Sequence, residues 1–308
     1  TVLNRNLASD VLWRFEVEPP LTGAGALAHG SLTAPVPDSE SQPVYMAETP
    51  LRLPRAVFDR IRMPTTIYLK TMTQTATGMQ EKRRPVFRIA TIPLQSSPPY
   101  LDGQWTEYGG RNLMVLGTPE QELHGDWRRP WGGERDCSAI VSAVWTAEGL
   151  YIGARIQDDH PAMNDQGVGG DVYKGDGLEV YLGTRGYSGQ YYATKEEGFY
   201  HFAITPGRGG VGAAVSDFEK EVPGSRVVVR VESESYTMEA FIPRAAFGDF
   251  VPQDNDLVPF DLQLNDRDDY SAEARTCSLM WNGDHMNWLR AGKWGLAVIQ
   301  DSGRQFGQ

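Results

Sequence analysis

From Val144 to Leu182 apolar and polar side chains alternate with a period of two. Leu150, Ile152, Ala154 and Ile156 interleave with Tyr151, Gly153, Arg155 and Gln157; Leu178, Val180 and Leu182 interleave with Glu179 and Tyr181. A period of two marks strands with one buried face. The segment therefore predicts strand, tight turn, strand, acidic loop, strand. Alternation recurs near 199–205, 226–232, 236–242, 258–265, 275–281 and 293–299. Many short strands separated by turn signals predict an all-β fold, an antiparallel β-sandwich of jelly-roll type, over residues 96–308.

Residues 1–95 differ in composition and predict a small β-rich N-terminal module of unknown role. LWRFEVEP, PVYMAETPL, TTIYLKTMT and PVFRIATIPL read as its strands, Gly23–Gln42 as a long loop, and Arg55–Arg62 as a helical turn between Pro54 and Pro64. Ser96–Pro99 reads as a linker. Gly 33 and Pro 20 suit strands joined by turns and argue against a helical bundle. A net charge of −11 argues against general nucleic-acid binding, because little basic surface is available to neutralise phosphates. No run is long and apolar enough to span a membrane. The chain opens on Thr1 and reads as a mature or trimmed form, consistent with an extracellular or periplasmic protein whose signal peptide has been removed. Cys137 and Cys277 are either one long-range bridge or two buried thiols.

Strand parity sets some polar residues on the face away from the core. Glu179 lies opposite Leu178 and Val180, His201 opposite Tyr200 and Phe202, and Gln263 and Asn265 opposite Leu262 and Leu264. Carboxylate, imidazole and amide groups suit sugar hydroxyls, which both donate and accept. Pyranose rings also pack on flat apolar surfaces, for which Tyr173, Tyr181, Trp281 and Trp288 are candidates. Between the strands, Asp158, Asp159, Asp165, Asp171 and Asp176 crowd one loop. Such a density of carboxylates repels itself unless a cation sits among them, and oxygen ligands suit Ca²⁺.

Six segments in order, YLDGQWTEY (100–108), AVWTAEGLYIGARIQDD, VYKGDGLEVYLG, YTMEAFIP (236–243), FDLQLND (260–266) and SLMW with KWGLAVI, resemble the family 9 carbohydrate-binding modules over about residues 98–300. The resemblance implies a β-sandwich that binds a polysaccharide or oligosaccharide without catalysis, and it makes YLDGQWTEY an opening strand. It implies a sugar held between two aromatic walls, Trp288 and Tyr173, with Glu179 and Gln263 as hydrogen-bonding partners. His201 falls where the family has an arginine, and His285 near its asparagine. It also implies structural calcium, with Asp158, Asp159, Asp171 and Asp176 as candidate ligands.

Two other readings stay open. A β-sandwich polysaccharide lyase or hydrolase would use His201, Tyr192 or Glu179 as acid–base groups, or Glu179 paired with Asp261 or Asp266. An extracellular structural or assembly protein would use the sandwich for contacts alone. A related sandwich binds haem, for which His285 and Met286 are the residues to test.

Overall fold

The computed structural model describes residues 2–4, 11–19, 29–32, 45–47, 58, 61, 63–75, 77–108, 112–123, 129–185, 197–218, 220–271 and 275–301. Most of the segment 23–42 expected to be a loop, most of the Arg55–Arg62 turn and Tyr192 lie outside them; the described part of the first, His29–Leu32, is a strand instead. The chain forms two compact units, Thr1–Ile61 with Thr65–Arg88, and Arg62–Pro64 with Ile89–Gln308.

The first unit holds β1 (Val2–Asn4), β2 (Val11–Glu18), β3 (His29–Leu32), β4 (Tyr45–Ala47), β5 (Thr65–Thr75) and most of β6 (Gly78–Leu94). β2 pairs with β3 and β5, and β5 with β6. Charged side chains form a ladder here. Lys70 Nζ lies 2.6 Å from Glu81 and 3.8 Å from Glu16, and the Arg83 guanidinium stacks 3.5 Å from the Tyr68 ring centre. Such surface pairs add little stability each.

The second unit holds β7 (Met114–Leu116), β8 (Cys137–Trp145), β9 (Gly149–Asp158), β10 (Gly177–Gly183), β11 (Phe199–Thr205), β12 (Ala214–Ser216), β13 (Arg226–Val231), β14 (Ser235–Pro243), β15 (Leu257–Asp266), β16 (Cys277–Met280) and β17 (Gly295–Asp301). One sheet runs β12-β11-β10-β15, with β16 and β17 both pairing β15; the other runs β7-β8-β9-β14-β13. All these pairs are antiparallel. The end of β6 pairs in parallel with β17, and Leu94 with Trp145 of β8. The strands predicted from alternation are present. The three-residue β7 and β12 went unpredicted, because so few positions cannot display a period.

Alternation explains the packing. Leu178, Val180 and Leu182 of β10 and Phe260, Leu262 and Leu264 of β15 share one buried core with Ala139, Val141 and Ala143 of β8 and Ile152, Ala154 and Ile156 of β9. Inward faces of two sheets filling one core define a sandwich. YLDGQWTEY is not a strand. Buried Glu239 of β14 accepts hydrogen bonds from the backbone N–H groups of Asp102 (2.8 Å), Gly103 (2.5 Å) and Trp105 (3.1 Å). A carboxylate gathering three amides fixes a turn and leaves none of them for a ladder. The segment then covers Tyr151 and Phe241 with Leu101, Trp105 and Tyr108. Gly153 permits this approach, since a Cβ there would lie 2.5 Å from the Tyr108 ring.

Candidate functional site

Glu179 is the centre of the outward face of the first sheet. Register sets it beside Gln263 on β15 and Ala203 on β11, with Tyr181 beside His201. Five donors converge on its carboxylate. Oε1 accepts from Gln263 Nε2 (3.0 Å), Asn265 Nδ2 (2.6 Å) and Arg275 (3.0 Å). Oε2 accepts from the Tyr181 hydroxyl (2.6 Å) and lies 2.7 Å from His201 Nε2. Burial alone pushes this carboxyl up, but the hydrogen bonds of His201 and Tyr181 and the charge of Arg275 overcome it and hold the group down at about 2. His201 moves the other way: burial, helped by Arg275, lowers its pKa and favours the neutral imidazole. A neutral ring whose Nε2 carries the proton donates to Glu179.

An arginine outside the predicted set reaches Glu179: Arg275. It lies in the turn before β16, donates to the Tyr173 carbonyl (3.2 Å) and packs 5.0 Å from the Tyr173 ring centre. Tyr173 and Glu179 are thus joined through one guanidinium. His201 lies on the same face as Glu179. It is stacked between Tyr181 (4.1 Å) and Phe218 (3.8 Å), so it forms part of an aromatic pile. The asparagine beside Glu179 is Asn265, and exposed His285 is not among its partners. Turn residues such as Arg275 and Phe218 escape a parity argument, which holds only within strands.

Trp288 is 56% exposed on a loop that is fixed from below. Asp261 Oδ2 accepts from the Gly283 N–H (2.8 Å) and Asn287 Nδ2 (2.9 Å), and Oδ1 from the Asn282 N–H (2.9 Å). Trp294 Nε1 donates to the Asn287 carbonyl (2.9 Å). Position 283 must be glycine, because a Cβ would lie 1.9 Å from the Asn287 amide oxygen. Asp261 is therefore a loop anchor, raised to about 6 by burial against the pull of these donors. It faces Tyr181 across the ladder, on the same face as Glu179 and two residues along the strand from Gln263. Two of the offered aromatics are also unavailable: Trp281 is in the core, and Tyr181 is buried beneath His201.

The acidic loop splits into separate groups. Asp158 and Asp176 meet Asp266, with one oxygen of each within 4.8 Å of the others and all three buried. Asp158 accepts from the His160 N–H (2.8 Å), and Asp176 from the N–H groups of Met163 (2.6 Å) and Arg267 (2.7 Å). Neither oxygen of Asp266 has a hydrogen-bond partner. Burial, then the mutual charge of these aspartates, pushes Asp176 and Asp266 well above the ordinary range, and burial raises Asp158 to about 6. Asp159 belongs instead with His160 (2.7 Å) and Asp268. Asp171 is exposed and pairs with Lys174 at 2.9 Å. Asp165 pairs with Arg267 at 2.7 Å. Of the four calcium candidates, the fold gathers two, and adds Asp266. Its signal was present: Asp158, Asp176 and Asp266 all continue the inward parity of their strands.

Among the described residues no helix is long and apolar enough to cross a membrane. No curated protein matches the chain. Two solved structures of a family 9 carbohydrate-binding module from Caldicellulosiruptor kristjanssonii are similar to it in fold. The one in complex with cellotriose has a TM-score of 0.50 at 15% identity, covering 71% of this chain and 97% of its own. The one in complex with glucose has a TM-score of 0.50 at 14% identity, covering 71% and 100%. The family model described as "Carbohydrate family 9 binding domain-like" matches residues 120–302, more than half of the chain. With the sandwich on which those residues lie, this match establishes that the chain belongs to the carbohydrate family 9 binding domain-like family.

Proposed function

We propose that the second unit is a non-catalytic carbohydrate-binding module, working outside the cytoplasm on plant-type polysaccharide or its chain ends. The observation that carries this reading is the convergence of five donors on Glu179, on the sheet whose Asp261 anchors the loop of exposed Trp288. The carboxylate fixes Arg275, His201, Gln263 and Asn265 in place before any ligand arrives, which lowers the ordering cost of binding. Trp288 and Tyr173 supply the flat surfaces that sugar rings pack against. A carboxylate held near 2 is a poor proton acceptor and no proton donor at neutral pH, which favours binding over acid–base chemistry. The cellotriose and glucose in the two similar structures support a glucan-type ligand.

Titration of the whole chain with glucose, cellotriose and xylotriose, followed by NMR and by retention on insoluble cellulose and xylan, tests the reading. Saturable shifts are expected from the indole N–H of Trp288. No shift and no retention with any of these sugars would sink it; release of reducing ends or unsaturated products would replace it with an enzyme.

The same reading includes a structural cation. Asp158, Asp176 and Asp266 offer hard oxygen donors, and the two partnerless oxygens of Asp266 fit a group bound by Ca²⁺. A bound cation would neutralise three buried carboxylates and tie together the ends of β9, β10 and β15. Thermal unfolding with calcium and with chelator reads this directly. A cation at 100 times its Kd adds about 2.7 kcal/mol, and identical curves would remove calcium from the account.

A further inference from the structure

The acidic group is part of a larger polar layer at one end of the core. Cys137 lies directly across the ladder from Asp158, and Cys277 from Asp266. Directly paired residues project to the same face, so both thiols point inward with those aspartates. The thiols are both buried and unbridged, and burial together with the nearness of Cys277 pushes the Cys137 thiol up. Tyr236 of β14 shares the inward parity, and its buried hydroxyl has no hydrogen-bond partner. On the outer side, half-buried Asp136 brings a carboxylate oxygen within 4.8 Å of Cys277 Sγ and an oxygen of Asp266. A hydrophobic core has no use for two carboxylate oxygens and a phenol left without partners, each of which costs free energy when buried.

We propose that Cys277, Asp266 and Asp136, with Cys137 beside them, form a site for a thiophilic divalent cation of the zinc class. It is a second cation position that shares Asp266 with the all-oxygen group. The donor types decide the class. Thiolate with carboxylate suits zinc or cadmium, whereas calcium takes oxygen alone. Asp266 has two oxygens free, enough to serve one cation on each side. The cation takes thiolate, so its binding releases the Cys277 proton to the buffer. The inference rests on this chain's cysteines and does not depend on sugar binding or on calcium.

Cadmium is the probe, because its thiolate bond gives a charge-transfer absorption band that an oxygen-only site lacks. The whole chain is titrated with Cd²⁺ under a phosphine reductant, with both thiols counted after unfolding. The expected result is a band saturating at one Cd²⁺ per chain and persisting in excess Ca²⁺. Cys277→Ser should abolish the band and weaken Cd²⁺ at least about tenfold, a loss of the size seen when metal-site residues are altered. Asp158→Asn should keep it. Absence of the band with both thiols reduced, an unchanged band in Cys277→Ser, or its loss on adding Ca²⁺ would each overturn the site. If Cys277→Ser does not fold, alkylation of the native chain decides: Cd²⁺ should slow modification of Cys277 at least about tenfold, and equal rates with and without Cd²⁺ would overturn it.

Discussion

Two buried carboxylate groups sit on opposite faces of the same strand pair, and they behave in opposite ways. Glu179 of β10 meets five donors from β10, β11, β15 and the turn before β16, and its pKa falls to about 2. Asp176, just before β10, and Asp266, at the end of β15, meet each other and Asp158, and their pKa values rise. Burial acts alike on both groups. The difference is whether the fold supplies donors, so the same residue type is a finished scaffold on one face and an unfinished ligand set on the other.

The sharpest way to break this contrast is at Glu179. Glu179→Ala leaves Arg275 and four other groups without their acceptor, and should lower unfolding free energy by about 3–5 kcal/mol, as for removal of one partner of a buried ion pair. Urea denaturation measures it; a loss below that of an ordinary surface substitution would mean the network is not the scaffold described.

Next in size is the pH response of the cation-free chain, where the two groups have opposite signs. Glu179 has a depressed folded pKa, so its contribution is full above 4.5 and is lost as pH falls from 4.5 towards about 2. Asp158 has a raised folded pKa, so the folded chain holds the extra proton. Its contribution is full below 3.8 and is lost as pH rises through about 6. Cation-free stability should therefore pass through a maximum near pH 4, where the two windows meet, and fall by about 3 kcal/mol towards neutral pH. Calcium should remove that fall, as read from thermal unfolding across pH with and without chelator.

Asp266→Asn makes a smaller change of either sign. In chelator it removes a buried charge without partners and should stabilise the chain by about 1–2 kcal/mol; in calcium it should be the less stable form. A loss in both conditions would put Asp266 among ordinary structural residues. Smallest in stability is Trp288→Ala. An exposed side chain on an anchored loop should change unfolding by no more than about 0.5 kcal/mol. Cellotriose affinity should nonetheless drop at least about tenfold, and calorimetry separates the two effects.

Strand parity carried most of what the sequence revealed. It ordered the sandwich, turned Glu179, His201 and Gln263 to one face, and would have found Asp266 had the inward positions been searched for carboxylates. It had no purchase on loops. Asp159 and Asp171 are close to the others in sequence, but the fold pairs Asp171 with Lys174 and Asp159 with His160. Arg275 and Phe218 lie in turns and reach the site only through tertiary packing. YLDGQWTEY read as a strand because Glu239, the group that bends it, is far away in sequence.

That Glu239 clamp also bears on valency. The opening segment lies over Tyr151 and Phe241 on the second sheet, so that part of the sheet's outer face is occupied by the chain itself. On the proposed function, a module covered there and open at the Glu179 face would grip a polymer once. Tight retention on a long glycan would then have to come from several copies acting together, with avidity set by how those copies are tethered.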